Sequence, residues 1–137
     1  MAEILLTGAA YFRSGAAWSE EQVGNAWAGG PVPSVLRYTF QAPSVGARSV
    51  SLSFTKWYLE TGSKIPLRFF IGTDPESHID ADSTFPYTGD LTVQSDGTTM
   101  TGSGEIRLLP GRTYYLWLFP AEGSYGVYSW ENAAAVF

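Results

Sequence analysis

The sequence predicts an all-β protein, a single antiparallel β-sandwich of eight or nine strands with a jelly-roll-like arrangement. Three observations carry this expectation. Apolar and polar residues alternate with period two through most of the chain. Gly, Pro and Asp-Gly punctuate those runs where turns belong. No helical period persists for three turns.

The elements follow in order. "EILLTG" near the start reads as a short strand. "VLRYTFQAP" puts Leu36, Tyr38 and Phe40 on one face and Arg37, Thr39 and Gln41 on the other. "SVSLSFTKWY" turns Val50, Leu52 and Phe54 inward, with Ser51, Ser53 and Thr55 outward. "PLRFFIG" turns Leu67, Phe69 and Ile71 inward. In "LTVQSDGTTMTGSGEI", Asp96-Gly97 suits a two-residue turn with positive φ at both central positions. In "LLPGRTYY", Pro110 presets φ and Gly111 supplies the positive φ of a type II turn. "EGSYG" at 122–126 is a third reversal, and "YGVYSW" and "AAAVF" complete the strands.

Two long connections remain. Residues 9–34 carry Trp18, Trp27 and a capping-box pattern at Ser19–Gln22. Gly24 would stop a helix there within two turns, so an edge hairpin is an equal reading. Residues 73–90 form a polar, acidic loop. Connections this long in a compact domain usually carry function or cover something.

Composition agrees with one domain over residues 1–137: 45% of residues are hydrophobic and 15% charged, and no linker or repeat interrupts them. The net charge is −5 and the basic residues are dispersed, which argues against nucleic acid as a partner. The absence of cysteine excludes a disulfide framework and thiolate chemistry. Neither a signal-peptide pattern nor an apolar run of membrane-spanning length is present. The expectation is a protein made in the cytosol, without membrane insertion.

The strand Thr113–Phe119 is apolar on both faces, with Tyr114, Leu116 and Leu118 on one and Tyr115, Trp117 and Phe119 on the other. Three such rings amount to about 450–750 Å², more than a monomer ordinarily leaves bare. Three covers are open. The segment 9–34, with Trp18 and Trp27, folds back across it; a second protein subunit covers it; or a sugar stacks on it.

Candidate chemistry is sparse. Asp74, Glu76, His78, Asp80 and Asp82 alternate in the acidic loop and suit a calcium ion, while a solvated loop is the competing reading. His78 is the only histidine, and neither a nucleophile elbow nor a zinc-ligand set accompanies it. "TGSGE" lacks the Lys and helix of a phosphate loop. The expectation is a protein that is not an enzyme and needs no cofactor, calcium excepted. Trp57 and Trp130, with Glu131 and Asn132 beside them, are candidate stacking and hydrogen-bonding groups for a sugar.

Taken together, "VLRYTFQAP", "ARSVSLSF", "PLRFFIGTDPESH", "YTGDLTVQSDGTTMTGSGEIRLLPGRTYYLWLFP" and "SYGVYSW" resemble a β-sandwich module of phage and prophage virion proteins from gut Gram-positive bacteria. The resemblance runs from about Ala10 to Trp130. It implies a non-enzymatic tail, fibre, baseplate or capsid-surface protein, assembled in the host cytoplasm with copies of itself or with other virion proteins. Tyr115, Trp117 and Phe119 would then be interface anchors, with Trp18 and Trp27 covering or joining them. The alternative function is a carbohydrate-binding β-sandwich module, including a receptor-binding part that reads a host-surface glycan.

Overall fold

The computed structural model describes residues 3–6, 10–13, 26–29, 34–62, 67–75, 87–120 and 126–137. These form twelve strands: β1 (Glu3–Leu5), β2 (Ala10–Arg13), β3 (Ala26–Gly29), β4 (Ser34–Gln41), β5 (Ala47–Thr55), β6 (Tyr58–Gly62), β7 (Leu67–Gly72), β8 (Gly89–Val93), β9 (Met100–Leu108), β10 (Thr113–Pro120), β11 (Gly126–Ser129) and β12 (Asn132–Val136). Nine make one sheet in the order β1-β12-β5-β9-β8-β7-β10-β4-β2, and β3-β11-β6 make a second. Every pairing among the described residues is antiparallel.

The large sheet folds over on itself. β12 and β4 are separated by β5, β9, β8, β7 and β10. Even so, Phe137, just past β12, stacks on Phe40 of β4 with ring centroids 5.6 Å apart. Only a sheet curled into a nearly closed sandwich brings those strands together. Its interior holds the inward residues that alternation predicts: Leu36, Tyr38, Phe40, Val50, Leu52, Phe54, Leu67, Phe69, Leu116 and Leu118 are all buried. Burying them removes a large apolar area from water, which is the main drive for folding.

The strands beyond the expected eight or nine are short edge pieces. Residues 9–34 supply β2 and β3, which lie in different sheets and do not pair, so no edge hairpin forms between them. The capping-box residues lie outside the described residues. So does the reversal expected at 122–126, whose flanking strands β10 and β11 belong to separate sheets.

The two expected turns differ in outcome. At Pro110-Gly111, Gly111 has φ 67 and Arg112 donates to the Leu109 carbonyl at 3.4 Å, as a type II turn requires. At Asp96-Gly97 only Gly97 has positive φ, and Gln94 donates to the Thr99 carbonyl at 2.7 Å across a longer loop. The cause is the Asp96 carboxylate. It accepts from the backbone N–H groups of Thr98 and Thr99 at 2.8 and 2.9 Å and from the Thr99 hydroxyl at 2.8 Å. That arrangement favours a side-chain-capped loop over a tight mirror-image turn.

Glycines in "TGSGE" serve packing. A Cβ at Gly102 would lie 2.6 Å from the Leu91 side chain and 2.7 Å from the Asp90 carbonyl oxygen. β9 therefore passes close over β8 and the buried Phe69 ring, which any larger residue would push away.

Candidate functional site

The outward face of the large sheet has two halves of opposite character. Over β7, β10 and β4 it is aromatic. Trp117 and Phe119 are each 1% exposed within a single chain, and Phe70 and Tyr115 pack against them. Arg37, in register with Trp117, lays its guanidinium over the Tyr115 and Trp117 rings at 5.2 and 5.9 Å. It also donates to the Pro75 carbonyl in the acidic loop. The chain seals its own second face, so Trp117 and Phe119 have no surface left for a partner. Trp18 lies outside the described residues, and of Trp27 only the backbone is described, in β3 opposite Tyr128.

The other half, over β5, β9 and β8, is polar and open. Alternation sends Ser51 and Ser53, Thr101 and Ser103, and Asp90 and Thr92 outward from the three strands, and Gln94 closes one end. They line a trough of about 720 Å³ that reaches Val136 of β12. Gln94 donates its amide to the Thr101 hydroxyl, which tethers that end. At the β7 side Arg68 lies 3.4 Å from Asp90 and stacks over the Tyr87 ring at 4.2 Å. Tyr87 is itself exposed, an aromatic surface beside a hydroxyl-lined floor.

Sequence reasoning placed Ser51 and Ser53 on the outward face of their strand and read Thr101 and Ser103 only within a glycine-bearing stretch that lacks the marks of a phosphate loop. The missed signal is their uniformity. The outward positions of "VSLSF" and "MTGS" carry only hydroxyls.

The sugar platforms expected at Trp57 and Trp130 are not on the surface. Both rings are buried, at 3% and 4% exposure, and stack on each other with centroids 5.2 Å apart. Phe54 packs edge-on against each ring. They are core, out of reach of a ligand. Glu131 and Asn132 are exposed near them, and Glu131 pairs with Lys56 at 2.5 Å. Of the calcium candidates Asp74 is exposed, while Glu76, His78, Asp80 and Asp82 lie outside the described residues.

No protein-family profile and no curated protein matches the chain. Solved structures do. A family 35 carbohydrate-binding module from Cellvibrio japonicus Abf62 aligns over 99% of this chain and 94% of its own, at 11% identity and a TM-score of 0.48. A second family 35 module, in complex with a disaccharide containing glucuronic acid, aligns over 100% and 94%, at 13% identity and a TM-score of 0.48. A family 6 module from Clostridium stercorarium in complex with cellobiose aligns over 99% and 92%, at 16% identity and a TM-score of 0.41. The resemblance to phage virion modules, and the assembly function it implied, are corrected accordingly: these whole-chain similarities are to carbohydrate-binding modules. The closed aromatic face removes the physical premise of that reading as well.

Proposed function

We propose that this protein is a non-catalytic carbohydrate-binding module whose ligand lies in the trough over β5, β9 and β8. The observation that carries the proposal is the trough's chemistry. Its polar side chains are five hydroxyls, one amide and one carboxylate, and past that carboxylate, Asp90, lie Arg68 and the exposed Tyr87 ring on which Arg68 stacks. Hydroxyls and amides both donate and accept, which suits the mixed hydrogen bonding of a sugar. The Tyr87 face turned away from Arg68 suits the apolar face of a pyranose ring. Glycoside hydrolysis ordinarily needs two carboxylates flanking the bond. Among the described residues Asp90 is the only acid lining the trough, and Arg68 holds it.

Calorimetric titration against a panel of soluble polysaccharides tests this. The expected result is binding of at least one neutral glycan, weakened tenfold or more by Ser103→Trp, which fills the trough from an exposed position, and by Tyr87→Ala. Binding that survives Ser103→Trp unchanged, or no binding by the native protein across the panel, overturns it.

A further inference from the structure

The strand register arranges the trough's hydroxyls in two transverse rows. Ser53 pairs with Thr101, and Thr101 with Thr92, so these three hydroxyls form one row across β5, β9 and β8. Ser51 pairs with Ser103, and because Leu91 pairs with Gly102, Asp90 falls beside Ser103 in the second row. That row continues to Val136 on one side, and on the other to Arg68, which carries the Tyr87 ring. Steps along a row are set by strand spacing, about 4.8 Å, and the rows stand about 7 Å apart, two residues along each strand. The site is therefore a ladder with a fixed repeat running perpendicular to the strands. Among the described residues it is an open trough, with no enclosed pocket shaped to one ring.

We infer that the trough recognises an extended, neutral glycan chain lying across the strands, and reads its interior rather than its end. This rests on the carbohydrate-binding reading and specifies its ligand class. A neutral hydrogen bond to a short exposed hydroxyl multiplies affinity only about threefold to tenfold. One sugar touching one step of the ladder is thus held weakly. A chain that meets successive steps accumulates those factors until it spans β5, β9 and β8 and reaches Tyr87. Beyond that length further units meet nothing. Among the described residues the second row runs on across neighbouring strands to Val136 and Arg68, and no lining residue stands across it to recognise a chain terminus.

The test titrates the native protein with cello-, xylo- and manno-oligosaccharides of one to six units, each also with its reducing end converted to the alditol. The best ligand series should gain at least tenfold in affinity from two units to four and then level off. Alditol conversion of the hexasaccharide should change affinity less than twofold. The double variant Thr92→Val/Thr101→Val, which keeps strand propensity while deleting two hydroxyls of one row, should flatten that rise, with an unchanged circular dichroism spectrum showing that it folds. A monosaccharide bound as tightly as the hexasaccharide, or affinity lost on alditol conversion, overturns this inference and leaves the carbohydrate reading standing. Absence of binding in every series, together with none across the polysaccharide panel, overturns both.

Discussion

The indole N–H of Trp130 donates to the Tyr38 hydroxyl at 3.1 Å, joining residues 92 positions apart in a buried setting. It ties β4 to the segment between β11 and β12, so it clamps the sheet where it folds over. Tyr38→Phe leaves the Trp130 donor buried without its partner and should cost about 1–3 kcal/mol by urea denaturation. Trp130→Phe with Tyr38→Phe should cost less than the sum of the singles, because they share one bond.

The same tyrosine governs alkaline stability. Burial pushes its hydroxyl well above the ordinary tyrosine range, and the Trp130 hydrogen bond only partly offsets this. Tyr38 ionises at about pH 10 in the unfolded chain but stays protonated past that pH in the folded one. Tyr38's share of stability is therefore present in full below that pH and lost as pH rises beyond it. Native protein should lose stability more steeply than Tyr38→Phe between about pH 10 and 11, measured by denaturant titration.

Trp117→Ala tests the sealed aromatic face. A fully buried tryptophan replaced by alanine should cost about 3–5 kcal/mol in a monomer at any protein concentration. A cost below about 1 kcal/mol would show that the ring is not packed within the chain.

Two glycines with similar φ separate strain from crowding. Gly97 has φ 76 and open space where a Cβ would stand, so Gly97→Ala should cost about 1–2 kcal/mol for its left-handed backbone alone. Gly46 has φ 74, but a Cβ there would lie 2.6 Å from the Leu108 carbonyl oxygen. Gly46→Ala should therefore destabilise more, read as a larger drop in thermal midpoint.

Asp96 makes the hairpin acid-sensitive. The N–H of Thr98, then the hydroxyl and N–H of Thr99, hold its carboxyl below the usual carboxylate range. Its contribution is present above the unfolded value of about 3.9 and is lost as pH falls through the lower folded value. The thermal midpoint of Asp96→Ala should fall less than that of the native protein between about pH 4 and 2.

Much of the fold was legible because alternation is local: Val50, Leu52 and Phe54 point inward by virtue of neighbouring residues alone. The open trough was not legible, since Ser53, Thr101 and Thr92 become neighbours only through pairings between separate strands. Trp57 and Trp130 misled for a related reason. Trp57 follows Thr55 and Lys56 and Trp130 follows Ser129, and nothing local shows that the two rings bury each other.

By itself the sequence determined the class of structure, the inward residues of each strand, the Pro110-Gly111 turn and the excess of ring surface on β10. Tertiary structure alone decided which half of the outer face closes and which stays open. Arg37 reaches Tyr115 and Trp117 because β4 pairs with β10, and the serines meet the threonines because β5 pairs with β9. Side-chain alternation is written within one strand, whereas a surface site is written across several. Register is the physical link between them.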